Sequence, residues 1–168
     1  KQPIHNDLCG NCSSCMKAIQ YNHPDISLFQ PEKELIRTKV MRRLGREAQF
    51  RPFEGRLRFF IIDEAEKMTS KAANSILKTL EEPPSHVIFV LATTDPSALP
   101  LTIVSRCQRF DFRKIPLDVL EKRLSVLCKS ENVEVDAESL TLIGRVSYGS
   151  LRDAENLLEQ ALVSYGSP

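Results

Sequence analysis

No apolar run in this chain approaches the roughly 18 residues that a membrane-spanning helix needs, so nothing in the sequence supports a bilayer span. An excess of charge of one sign is lacking too. The net charge is +1 over 168 residues, which argues against a protein that coats nucleic acid by charge alone. No secretory leader is visible. The chain is expected to begin mid-domain, however, so that absence excludes little. Internal repeats and low-complexity stretches are missing. What remains is a chain sized for one medium domain or two small ones, 42% apolar and able to bury a core. Its basic residues crowd between Lys33 and Arg58. That cluster reads first as a solvated helix face, with a binding patch as the alternative.

Cysteine is the first positive signal. Cys9, Cys12 and Cys15 form a C-x2-C-x2-C pattern. Three thiols this close suggest metal more than disulfides. A structural zinc takes four ligands, so His5 or a cysteine upstream of Lys1 is needed to complete the set. His23, before Pro24, reads as a loop residue, with metal ligation as the alternative. Cys107 and Cys128 sit in apolar surroundings and are expected to be packed thiols.

Periodicity then orders the rest. Residues 26–29 read as a short strand. Ile36, Val40, Leu44 and Ala48 recur every four positions and predict an amphipathic helix over 34–48, weakened at Gly45. Leu57 to Ile62 is apolar on both faces, as a central parallel strand is. Thr69 or Ser70 can cap a following helix whose stripe is Ala73, Ile76, Leu77 and Leu80. Pro83-Pro84 stops it. Val87 to Ala92 is a second central strand. Residues 101–107 predict a helical turn, and Arg109 to Phe112 a further strand. Beyond Pro116 the pattern is helical throughout, over 117–130, 136–146 and from Leu151 onward. The expected organisation is therefore a partial α/β parallel-sheet domain over 1–115, with a zinc module at 5–20, followed by a three-helix domain over 116–168.

Strands that alternate with helices place their ligands at the strands' carboxyl ends. There the sequence puts Asp63-Glu64 after one strand and Thr93-Thr94-Asp95 after the next. Asp63-Glu64 fits a Walker B pair. Asp63 would hold Mg²⁺, mostly through water, and Glu64 would polarise an attacking water. The plainer alternative is an ordinary exposed strand end. Thr94 could read a γ-phosphate, with Thr93 as the alternative; both could equally be turn hydroxyls. Arg106, in Ser105-Arg106-Cys107, carries a fork suited to phosphate, or forms a surface salt bridge. Arg152 opens the last helix, where a cation opposes the helix dipole, so an anionic partner for it is plausible.

Taken together, CGNCSSC at 9–15, IIDEAEKM at 61–68, AANSILKTLEEPP at 72–84, LATTDP at 91–96, the SRC motif at 105–107 and GSLRDA at 149–154 resemble the AAA+ clamp-loader subunits of bacterial DNA polymerase III. The match runs over nearly the whole chain. It implies an AAA+ P-loop-type sheet domain, a three-helix lid and a helical collar. It also implies assembly with other clamp-loader subunits (gamma/tau and delta) in a cytoplasmic complex that opens the sliding clamp and places it on primer-template DNA, with no membrane role. Zn²⁺ would be structural, and ATP/Mg²⁺ would act in the assembled complex. By this resemblance Asp63 and Glu64 are Walker B-like, Thr94 is sensor 1, Arg152 is sensor 2, and Arg106 is an arginine finger acting on a neighbour's ATP. The family's first zinc cysteine would lie just ahead of Lys1. The P-loop, G-x-x-x-x-G-K-[ST], does not occur in these residues and would also lie upstream, so the chain is expected to be a fragment. HPDISLFQPE at 23–32 and RPFEGRLRFFIIDEAEKMT at 51–69 resemble the delta-prime subunit. ATTDPSALPLTIVSRC and GSLRDAENLLEQA resemble gamma/tau. Delta-prime is the preferred reading, supplying Arg106 in trans with doubtful ATPase activity of its own. Gamma/tau, which hydrolyses ATP, is the alternative. An unrelated zinc-binding nucleotide domain is a distant third.

Overall fold

A computed structural model describes residues 9–165. The chain divides into two units, one running to Arg109 and one starting at Phe110.

The first unit is built on a three-stranded parallel sheet, β1 (Ile26–Phe29), β2 (Arg58–Ile62) and β3 (Val87–Leu91), in the order β1-β2-β3. The register pairs Phe29 with Ile62 and Ile62 with Leu91, so the strands finish side by side. Parallel neighbours need a crossover between them. The β1-to-β2 crossover contains α2 (Thr38–Glu47), and the β2-to-β3 crossover contains α3 (Ser70–Glu81). Both helices cover one face of the sheet. Phe29, Phe60, Ile62 and Val87 share a core there with Met41, Leu44, Ala72, Ala73 and Ile76. Phe60 is central, its ring 6.0 Å from Phe29 and 5.7 Å from Phe89. Burial of one such side chain contributes about 1.5–3 kcal/mol. On the opposite face Leu28, Ile88 and Val90 are exposed.

Local chemistry explains the element ends. Thr69 caps α3, its hydroxyl accepting from the Ala72 N–H at 3.2 Å. The helix predicted over 34–48 begins later, at Thr38. Residues 32–35 are taken by a small turn with Lys33 in the left-handed region, and Ile36 bridges to Met68 instead. The predicted strand over Arg109–Phe112 does not form: residues 109–112 carry no strand and lie outside the three-stranded sheet. A strand depends on its neighbour's hydrogen bonds, and here Phe112 is 99% exposed. The helical turn predicted over 101–107 is shorter, as α4 (Leu101–Val104).

Two buried charged residues lie where the apolar pattern gave no hint of them. Arg58 opens β2 and is buried, its guanidinium over the rings of Phe53 and Phe60 and donating to the Glu47 carbonyl at 3.2 Å. Asp25, 1% exposed, precedes β1. Its carboxylate accepts from the N–H groups of Phe53 (2.5 Å), Glu54 (2.9 Å) and Gly55 (2.7 Å). That carboxylate fixes the loop that leads into β2.

The second unit is three helices, α5 (Leu117–Ser130), α6 (Ala137–Val146) and α7 (Leu151–Tyr165). Leu120, Leu124, Cys128, Leu140, Ala154 and Leu158 form its core. Asp136 caps α6 through the Ser139 N–H. Gly149, at φ +85°, turns the chain into α7 and lets its carbonyl accept from the Ile115 N–H at 3.0 Å. Among the described residues no helix is long and apolar enough to cross a membrane.

Candidate functional site

The carboxyl ends of β1, β2 and β3 gather the polar residues. Asp63 follows β2, its N–H donating to the Phe29 carbonyl at 2.9 Å, while Gln30 Nε2 donates to Asp63 Oδ2 at 3.2 Å. The chain then turns sharply: Glu64 adopts the left-handed conformation, φ 48° and ψ 50°, ahead of a 3-10 turn at Ala65–Lys67. Its carboxylate pairs with Lys67. That hydrogen bond raises the Lys67 pKa above the ordinary lysine value.

On the neighbouring strand, Ala92 N donates to Ile62 O and Ala65 N to Ala92 O, each at 2.9 Å. These bonds draw the Thr93-Thr94 segment toward the turn. Thr94 Oγ1 donates to Glu66 Oε1 at 3.1 Å. Hydrogen bonding from Thr93, joined by that from Thr94, holds the Glu66 carboxyl below the usual carboxylate range, against the opposing effect of burial. Thr93 Oγ1 also accepts from the Asp95 N–H. The fold therefore brings Asp63, Glu64, Thr93 and Thr94 to adjacent strand ends. It adds two residues that the sequence reading passed over, Gln30 and Glu66. Glu66 lies inside the 3-10 turn at Ala65–Lys67, where it meets the Thr94 hydroxyl.

Arg106 follows α4. Its Nη2 donates to Glu81 Oε1 at 2.5 Å and its Nη1 to the Thr102 carbonyl at 2.5 Å. The surface ion pair named above as the alternative for Arg106 is thus present. Cys107 beside it is exposed, not packed as its apolar neighbours suggested, because α4 stops at Val104 and leaves the next residues outside the core; Cys128 is buried as expected. Arg152 is exposed in the first turn of α7, within the second unit.

The three cysteines converge. Their Sγ atoms all lie within 4.8 Å of one another, and Cys9 and Cys15 are 3.7 Å apart. Zinc–sulfur bonds of about 2.3 Å in a tetrahedron require sulfur–sulfur edges of about 3.8 Å, so this spacing suits one shared ion. Helix α1 (Ser13–Ile19) sets the geometry: Cys12 is its N-cap, accepting from the Cys15 N–H at 3.4 Å, and Cys15 faces inward from the first turn. The N–H groups of Asn11 and Cys12 bring the Cys9 pKa down to about 7, which favours the thiolate that a metal binds. His23 takes no part; it bonds Ser14 Oγ through Nε2 at 2.8 Å and the Asp25 N–H through Nδ1 at 3.1 Å. His5 lies outside the described residues.

A three-stranded parallel sheet with acids and hydroxyls at its carboxyl ends, followed by a three-helix unit, is the AAA+-like α/β fold with its helical lid. The Thermotoga maritima RuvB Holliday junction branch migration motor has a similar fold, with a TM-score of 0.67 at 16% identity over 92% of this chain and 51% of its own. A DNA polymerase III gamma subunit-related protein from the same organism gives a TM-score of 0.56 at 26% identity, covering 76% of this chain and 47% of that one. The sequence profile described as "DNA polymerase III, delta subunit" matches residues 1–116, and that of the clamp loader subunit's ATPase lid domain matches residues 119–167. The chain belongs to the DNA polymerase III clamp-loader family. The DNA polymerase III subunit tau of Escherichia coli is 38% identical over 93% of this chain, and that of Bacillus subtilis 36% over 94%. The gamma subunit of Buchnera aphidicola from Acyrthosiphon pisum is 42% identical over 95%. The chain spans 24% of the E. coli relative's length and 44% of the Buchnera one's.

Proposed function

We propose that this chain is the sheet-and-lid portion of a gamma/tau-type clamp-loader subunit, which takes part in ATP-driven opening of the sliding clamp and its placement on primer-template DNA. The carrying observation is that relatives named tau or gamma align with 93–95% of the chain, across both units, at 36–42% identity. This favours gamma/tau over the delta-prime reading that the 23–32 and 51–69 segments suggest. The profile described as the delta subunit, over residues 1–116, names a subunit other than gamma or tau. Assembly with other clamp-loader subunits, contact with the clamp and a cytoplasmic location belong to the same proposal.

The residues divide the work as follows. Carboxylate and hydroxyl oxygens at the strand ends suit a hard cation. Asp63 would hold Mg²⁺ of a bound MgATP, largely through water, and the ion would offset phosphate charge. Glu64, released from Lys67, would orient the attacking water, and Thr94 would donate to the γ-phosphate. Arg106 would act in trans on ATP held by an adjacent subunit. Arg152 is the sensor-2 candidate of the second unit. Cys9, Cys12 and Cys15 would hold a structural Zn²⁺ with a further ligand from upstream, stabilising their lobe without taking part in chemistry.

The test uses the full-length protein in the complete loader. A gamma/tau-type subunit binds ATP and hydrolyses it with magnesium, and Asp63→Ala abolishes its share of the activity. A delta-prime-type subunit hydrolyses none, and Asp63→Ala is silent while Arg106→Ala still slows the neighbour. That second pattern would reject the gamma/tau assignment.

A further inference from the structure

Glu81 is the last residue of α3, with Glu82 as its C-cap and Pro83-Pro84 fixing the exit. A carboxylate is disfavoured there, because the helix dipole puts negative charge at that end. Its partner is Arg106. The guanidinium is held from two directions, Nη2 on Glu81 Oε1 and Nη1 on the Thr102 carbonyl within α4, with Ser105 Oγ 3.4 Å from Nη1. α3 and α4 pack together, so both anchors belong to one framework. Among the described residues, the held guanidinium still has its Nε hydrogen and one Nη2 hydrogen to offer. Those donors are directional and can serve a phosphate oxygen.

We infer that Glu81 is a positioning residue for Arg106, fixing the guanidinium so that its remaining donors are presented to an anionic phosphate brought by an adjacent subunit. This rests on the reading of Arg106 as a trans-acting finger. A long side chain at the surface otherwise loses rotamer freedom when it engages a ligand. Glu81 and Thr102 meet that cost in advance. A pair this exposed contributes little to folding stability, so its effect belongs in the rate.

The experiment places variants of the full-length subunit in the complete loader and measures clamp- and DNA-stimulated ATP hydrolysis. Glu81→Ala is expected to lower kcat by about tenfold, the scale of a modest misplacement of a reacting group, with the KM for ATP and the assembly unchanged. Glu81→Gln, which still offers an Oε1 acceptor, should restore most of the rate. Glu81→Asp, one methylene shorter, should fall between them. The double variant Glu81→Ala, Arg106→Ala should be no slower than Arg106→Ala alone, because both act through one group. A normal or raised rate in Glu81→Ala, beside a slow Arg106→Ala, overturns the positioning role and leaves the finger intact. Losses that multiply in the double variant overturn it as well. A loader carrying Arg106→Ala that runs at the normal rate instead removes the finger reading underneath, a distinct result.

Discussion

The Thr94 hydroxyl donates to Glu66 at 3.1 Å, so the residue proposed to sense a phosphate is already committed to a carboxylate. Its donor must transfer from Glu66 before it can serve a nucleotide. Thr94→Val should therefore reduce kcat for ATP hydrolysis in the loader while Thr94→Ser, which keeps the hydroxyl, stays near normal. The Thr94–Glu66 bond is exposed, so its loss should cost no more than about 1 kcal/mol of stability. Parallel hydrolysis assays and urea denaturation check both halves. Equal activity of the Val and Ser variants would contradict a sensing role.

Asp25 provides a pH prediction. Burial pushes its carboxyl up, but the N–H groups of Phe53, Glu54 and Gly55, with His23 nearby, outweigh burial and hold it below the ordinary aspartate value. A lowered folded pKa adds stability that is complete above the unfolded value of about 3.9 and is lost as pH falls through the folded one. Asp25→Asn removes the charge and sets an amide donor among three N–H donors. It should cost on the order of 3 kcal/mol near neutrality, and the gap from the unmodified protein should close below about pH 4. Denaturation at a series of pH values measures this.

The cysteine cluster predicts about one zinc per chain in the full-length protein, as a closed four-ligand site requires. Cys15→Ser should lower both metal content and the thermal midpoint. Zinc-free protein whose three thiols are all freely alkylated under native conditions would overturn the site.

Gly149 controls the second unit. At φ +85° an L side chain is strained, and a Cβ there would lie 2.7 Å from the Lys114 Cβ and 3.1 Å from the Ile115 carbonyl. Gly149→Ala should cost about 2 kcal/mol, typical of a residue forced into a sparsely populated backbone region. Circular dichroism melts would register the loss.

Much of this architecture is legible in the amino-acid sequence. Val87–Leu91 and the helix over 117–130 follow directly from apolar runs and spacing, because periodicity reports which face is buried. Of the two cap candidates, Thr69 and Ser70, the helix uses Thr69. Other features depend on partners distant in sequence. Asp25 is buried only because residues 53–55 fold back over it, and Arg58 only because Phe53 and Phe60 flank it. Neither arrangement leaves a local signature. The strand expected over 109–112 did not form, because an alternating pattern alone does not place a segment in the sheet. At the candidate site, Asp63, Glu64 and Thr94 were visible as polar ends of apolar strands. Their partners Lys67 and Glu66 were not, since a tight turn rather than a sequence motif brings them in.

Glu64 occupies a left-handed backbone position that suits glycine better than any side chain with a Cβ. Glycine there would relax the turn and remove the carboxylate in one change. Selection for heat resistance and selection for the water-orienting role proposed for Glu64 should thus pull this position in opposite directions, the sturdier variant being the one without the carboxylate.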